Sequence, residues 1–171
     1  PNFAPWTDTV QLNYFCDRAR KHMQEMLLRV ASVCDGVRCD MAMLTLNDIH
    51  RETWGWLLNR QGYTEKGEFW QEAIATVREE YPLFTFLAEV YWGLEWHIQQ
   101  LGFNYTYDKV LYDRLRSMGA QDVKGHLYAE SLYQKRSLRF IDNHDEEASL
   151  TAFGRDKSIA AAIVMATLRG M

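Results

Sequence analysis

No stretch of this sequence is apolar for long enough to cross a bilayer. The longest apolar runs, such as Ala160 to Ala166, fall far short of the roughly 20 residues that a spanning helix needs. No membrane partner is expected. An excess of basic charge is missing too: 19 Lys and Arg stand against 23 Asp and Glu, interspersed to a formal net charge of −4. Without a basic stripe or tail there is nothing to follow a phosphate backbone, which argues against nucleic acid. Cysteine is scarce. Cys16, Cys34 and Cys39 are odd in number and show neither CxxC nor Cys/His ligand spacing, so neither a disulfide framework nor a zinc site is indicated. They read as reduced, buried thiols, which favours a cytoplasmic setting. No metal or other cofactor is called for. The glycine-rich phosphate loops GxGxxG and GxxxxGK[ST] are also lacking.

What is present is enough for a substantial core, since 47% of the 171 residues are hydrophobic and 13% aromatic. Disorder is excluded. The chain starts at Pro1 rather than Met, and Met171 follows Gly170 where a new turn or strand should begin. Both ends read as cut, and residues 1–171 as a single segment of a larger domain.

Helical and strand patterns alternate. From Phe15 to Cys34 the apolar residues fall at steps of three and four, an amphipathic helix with Asn13 as its expected cap. Asp35-Gly36 breaks it, and Val37 to Met41 is short and apolar, as in a strand. A second helix with Phe69, Trp70, Ala73, Ile74, Val77 and Tyr81 on one face must end before Pro82, whose ring disfavours helical geometry in the preceding residue. Leu83 to Val90 is an almost continuous apolar strand. Phe103 to Tyr107 is another, followed by a helix that Asp108 can cap and Gly119 can stop. A helical stretch from Gly125 to Lys135, a strand from Leu138 to Asp142, and an Ala-rich helix from Asp156 to Leu168 complete the order.

Apolar strands alternating with helices indicate an α/β fold with a parallel sheet. An open doubly wound sheet would ordinarily carry a glycine-rich loop after a strand. Its absence favours a (β/α)8 TIM barrel, of which this chain is long enough for about five units of roughly 31 residues. The expected fold is therefore a partial barrel.

In such barrels chemistry sits where strands run out at their C-terminal ends. Three carboxyl groups hold that position: Asp40 ending "GVRCD", Glu89 ending "LFTFLAE" and Asp145 ending "LRFIDNHD". Arg38 points to the same face as Asp40, because strand side chains alternate with period two. An arginine there keeps Asp40 ionised, as a nucleophile requires, whereas Glu89 follows an apolar strand and suits a carboxylic acid. One ionised and one protonated carboxyl about 5 to 5.5 Å apart is the arrangement of retaining glycoside hydrolysis. Asp145 and His144 would then hydrogen-bond sugar hydroxyls.

The segments "DGVRCD", "AEVYW" and "FIDNHD" resemble, in order, the second, third and fourth conserved regions of the α-amylase superfamily, glycoside hydrolase family 13. The resemblance spans nearly the whole chain. It implies Asp40 as nucleophile, Glu89 as acid/base and Asp145 as stabiliser of the transition state, with Arg38 and His144 contacting substrate. It further implies a retaining α-glycosidase acting on an oligosaccharide or small glycoside, or a transglycosylase or phosphorylase sharing the same glycosyl-aspartate intermediate. A non-catalytic carbohydrate-binding fragment is the competing expectation. The family's first region, "DxxxNH", is absent, and Met43 and Leu44 stand where many α-amylases carry a Lys-His pair. Starch is therefore a doubtful substrate.

Tyr91 and Trp92 follow Glu89 and are candidate platforms for pyranose faces, with Trp96 a weaker one. Trp54, Trp56 and Tyr63 lie in the long segment after Asp40 and are expected to pack beneath a covering loop. His50, His97 and His126 lack partners at ligand spacing and read as core or surface residues.

Overall fold

The computed structural model describes residues 6–171. It is an α/β structure whose sheet has four strands, all parallel, in the order β1-β2-β3-β4: β1 Gly36–Cys39, β2 Thr85–Ala88, β3 Tyr105–Tyr107 and β4 Ser137–Leu138. Each strand adds beside its predecessor in the chain. Between them run the helices α1 Asp17–Ala31, α2 Asn47–Arg60, α3 Phe69–Glu80, α4 Glu95–Gln100, α5 Lys109–Ser117, α6 Ala120–Leu127, α7 Ser131–Lys135, α8 Ser149–Phe153 and α9 Arg155–Thr167. The pairing continues past β4, because the Met171 N–H donates to Ser137 O at 3.0 Å while Arg139 N–H donates to Met171 O at 2.8 Å. Those are the two bonds of a parallel bridge.

The two faces of the sheet differ. Cys39, Phe86, Ala88, Thr106 and Ser137 point to one side and are buried. There they meet Leu27 and Ala31 of α1, Ala73, Ile74 and Val77 of α3, and Ile98 of α4 in the main core. A second, smaller core joins Tyr112, Phe153 and Ala161 with Phe140 and Leu115 packed against them. The other face carries Gly36, Arg38, Thr85, Leu87, Tyr105 and Leu138, all half-buried. It ends in the charged residues after β1 and β2.

Several local features follow from side-chain chemistry. Tyr81 leaves the helical region at φ −126°, ψ 72°, as the residue before Pro82 must, and α3 ends there. The Asp108 carboxylate accepts from Leu111 N–H at 3.1 Å and caps α5. Arg20 is buried on α1, where it donates to Glu72 at 2.6 Å, to Gly67 O at 2.8 Å and to Tyr14 O at 3.2 Å.

The differences from the sequence reading are equally physical. Asn13 does not cap α1: its Oδ1 accepts from Phe15 N–H at 2.9 Å in a turn before the helix, whose N-cap is Cys16. The segment after Asp40 is a 3-10 turn, Ala42–Thr45, and then α2, so Trp54 and Trp56 stand on a helix rather than beneath a loop, and Trp56 is exposed. Residues 125–135 are two short helices, α6 and α7. The last strand is Ser137–Leu138 instead of a run to Asp142. Of the cysteines only Cys39 is buried; Cys34 is exposed.

Candidate active site

Asp40 immediately follows β1 and Glu89 immediately follows β2, and the β1–β2 register pairs Arg38 with Leu87. Period-two alternation then puts Arg38 and Asp40 on the same face as Leu87 and Glu89. The ladder runs on into this end of the sheet, with Glu89 N–H donating to Cys39 O at 3.0 Å and Ala42 N–H donating to Glu89 O at 2.9 Å. The two acidic residues are thus fixed by backbone pairing.

Arg38 is the hub. Its Nη1 donates to Asp40 Oδ1 at 2.6 Å, its Nη2 donates to Glu89 Oε2 at 3.0 Å, and the same Nη2 lies 3.9 Å from Asp145 Oδ2. One guanidinium therefore draws together carboxylates that are far apart in the chain. Its Nε also donates to the Tyr107 hydroxyl at 3.2 Å, and the guanidinium carbon sits 5.6 Å from the centre of the Tyr107 ring. Burial works against its charge, but the bonds to Tyr107 and Asp40 and the charge of Glu89 outweigh that and hold its pKa above the usual arginine value.

The three carboxylates differ in setting. The Glu89 side chain is 5% exposed, against 64% for Asp40 and 50% for Asp145. Glu89 is also the most fully bonded: Oε2 accepts from Arg38 and from the Met41 N–H at 2.8 Å, and Oε1 accepts from the Tyr91 hydroxyl at 2.7 Å. Asp40 gives only Oδ1 to Arg38, and Oδ2 takes no hydrogen bond among the described residues. Asn143 Oδ1 accepts from the backbone N–H groups of Asp145 and Glu146, both at 2.9 Å, and so shapes the turn that presents Asp145. His144 Nε2 lies 3.2 Å from Asp145 Oδ2, with both side chains open to solvent.

Two residues beside the acids have left-handed backbone without being glycine, Met41 at φ 41° and Trp92 at φ 66°. Such strain persists only where the surroundings enforce it, and it concentrates at functional positions. At Met41 the turn aims the N–H at Glu89. At Trp92 it holds the indole outward, 58% exposed, next to Gly93 at φ 73°. Tyr91 is half-buried, with its hydroxyl engaged by Glu89. Burial, reinforced by that bond and the Glu89 charge, raises the pKa of the phenol, so it remains a donor. Trp96 tilts against Tyr133 at 6.4 Å between ring centres.

Met43, on the turn after Asp40, is fully buried, and Trp70 Nε1–H donates to the adjoining Ala42 O at 2.8 Å. This segment is therefore core on the side away from solvent. Beneath it the Cys39 thiol is pushed up to about 12 by burial, partly offset by Arg38, and stays protonated and unreactive.

Sequence reading missed Tyr107 and the Met41 N–H. The first was discoverable, because Tyr107 lies at the end of a strand on the same parity as Arg38's neighbours, but only once the register was known. The second has no side-chain signature. His126 is a core residue, its Nε2 2.8 Å from Asp108 Oδ1, with Arg139 Nε 3.3 Å from Asp108 Oδ2. No group of three or more His, Cys, Asp and Glu among the described residues is arranged to hold a metal ion. No protein-family model, curated protein or solved structure matches this chain.

Proposed function

We propose that this chain is the catalytic segment of a retaining α-glycosidase of the α-amylase type, built on part of a (β/α)8 barrel. The observation that carries the reading is Arg38 binding two carboxylates from adjacent strand ends and lying near a third. A shared guanidinium keeps Asp40 and Glu89 close, as a direct displacement by one carboxylate requires, rather than spaced apart for an intervening water. The barrel part of the reading is supported by strand order. The strands are added one after another, and parallel connections are right-handed almost without exception, so such an order puts every connection on one face, as a barrel is wound and a doubly wound sheet is not.

The chemistry follows from the settings. Asp40 Oδ2 attacks the anomeric carbon while the C–O bond to the leaving group breaks, its electron pair going to the glycosidic oxygen. Glu89, protonated at that stage, gives its proton to that oxygen, so the leaving group departs as a neutral alcohol. Glu89, now a carboxylate, takes a proton from water; the water oxygen attacks the same carbon and Asp40 departs with its bonding pair. Asp145 and His144, exposed at the rim, are placed for sugar hydroxyls, and Asp145 for the positive charge that develops on the ring. Trp92 supplies an apolar face for the pyranose.

In the intact protein, Asp40→Asn and Glu89→Gln should each lower turnover of aryl and alkyl α-glucosides by at least about 100-fold while leaving the fold unchanged by circular dichroism. Wild-type rates in either variant refute the reading. Transfer to a sugar or to phosphate uses the same intermediate, and product analysis with and without those acceptors separates the three outcomes.

A further inference from the structure

We infer that Tyr91 is a positioning residue that confines the working proton of Glu89 to Oε1 and holds that oxygen through both of its protonation states. The inference rests on the reading of Glu89 as the acid/base, but the hydrogen bonds that carry it are independent of the substrate.

The two oxygens of Glu89 face different kinds of hydrogen-bond partner. Glu89 Oε2 accepts from Arg38 Nη2 and from the Met41 backbone N–H. Both are donors only, and neither can accept. A proton placed on Oε2 would face two N–H groups and force at least one of these bonds to break, on a side chain that is itself only 5% exposed to water. Oε1 has a different neighbour. The Tyr91 hydroxyl, 2.7 Å away, is both donor and acceptor and turns about its C–O bond at little cost. When Glu89 is a carboxylate, Tyr91 donates to Oε1; when Oε1 carries the proton, the hydroxyl rotates and its oxygen presents a lone pair or yields the proton's direction to the substrate. Among the described residues no other side chain bonds Oε1.

The same geometry divides labour within one carboxyl group. Oε2 is the anchored oxygen, held by a cation and a backbone amide whose position is set by the strained turn at Met41. Oε1 is the working oxygen. In the first half of the reaction its O–H bond breaks and the proton goes to the leaving oxygen; in the second, a water O–H breaks and the proton returns to Oε1. Tyr91 gains and loses no proton in either step. It only supplies a hydrogen bond to the charged form, and so sets how readily Glu89 releases its proton.

The test reads that proton directly. In the intact protein with 13C-carboxyl-labelled glutamate, the Glu89 signal is identified by its loss in Glu89→Gln and titrated in the wild type and in Tyr91→Phe. Losing one hydrogen bond to a carboxylate should move the midpoint up by roughly one pH unit. With phenyl α-glucoside the basic limb of kcat/KM should move up with it. If Tyr91→Phe fails to fold, 3-fluorotyrosine at position 91 serves instead: it is the stronger donor, and the midpoint should move down. Coincident midpoints in wild type and either variant overturn the inference, whatever the activity. Wild-type turnover by Glu89→Gln would overturn the glycosidase reading alone, leaving the titration to decide the role of Tyr91.

Discussion

Arg38 bonds two carboxylates at nearly the same distance but at very different depth, which makes a quantitative test of the site. The Arg38–Asp40 contact is the shorter, 2.6 Å against 3.0 Å for Arg38–Glu89. Distance alone would make it the stronger. Burial reverses the order. Asp40 is 64% exposed, so water and salt screen the pair and the entropy of fixing it offsets most of the gain; such pairs contribute less than about 1 kcal/mol. Glu89 is 5% exposed, and stripping its cation leaves a charge that water cannot reach. Breaking a buried pair costs about 3 to 5 kcal/mol, and the low end applies because Glu89 keeps the Met41 and Tyr91 bonds. We therefore expect Arg38→Met to lower the stability of the protein by about 3 kcal/mol in urea unfolding at neutral pH. Double-mutant cycles should then give a coupling of about 2 kcal/mol with Glu89→Gln and below about 1 kcal/mol with Asp40→Asn. Equal couplings, or a larger one with Asp40, would refute the argument that depth rather than distance governs this site.

Three further outcomes are expected. His50 is buried against the edges of Tyr14 and Phe15, and burial lowers its pKa from 6.5, so the unfolded chain takes up a proton that the folded one refuses. Its contribution is fully present above pH 6.5 and is lost as pH falls below it; His50→Leu should flatten urea midpoints between about pH 8 and about pH 5, and an unchanged slope would count against this account. A Cβ on Gly36 would lie 2.7 Å from Thr85 O on the neighbouring strand, so Gly36→Ala should cost about 1 to 3 kcal/mol by pushing β1 from β2, measurable by thermal unfolding. Trp92→Gly relieves a left-handed backbone at an exposed position, and should leave stability unchanged or raise it by up to about 1 kcal/mol while raising KM for glycosides; a loss of stability would mean that the indole is structural.

Asp40 and Glu89 were legible because each directly follows a strand whose apolar run is unmistakable, whereas Asp145 lies in a turn seven residues beyond β4. Val37, Phe86 and Phe103 to Tyr107 announce three of the four strands, and the acids follow from counting along them. Pro82 marked the end of α3 for a reason that any sequence carries. The longest helix that escaped was α2, and its buried face explains why: Asn47 and His50 lie there beside Leu58, so the helix turns no apolar stripe inward. Asn47 is held instead by Nδ2 donating to Lys66 O at 2.7 Å, a contact between segments that no local pattern encodes. β4 fell short for a similar reason. Phe140 and Ile141 are apolar enough for a strand but join the small core with Tyr112 and Phe153. The convergence on Arg38 was only half visible, since period two put Arg38 beside Asp40 but the reach to Glu89 and Tyr107 depends on register between strands.

That register has its own consequence. Arg38 belongs to β1 and Glu89 to the end of β2, so their bond spans the first pair of strands in the sheet. If β1 slipped by one residue, every side chain would change face, and Val37 or Cys39 would stand where Glu89 needs a cation. The slipped sheet would then hold a buried, unpaired carboxylate. The contact proposed to prepare a sugar for cleavage thus also checks the alignment of the strands, penalising misfolded pairings before any substrate arrives. Alignment of the strands and the proposed chemistry depend on the same two side chains.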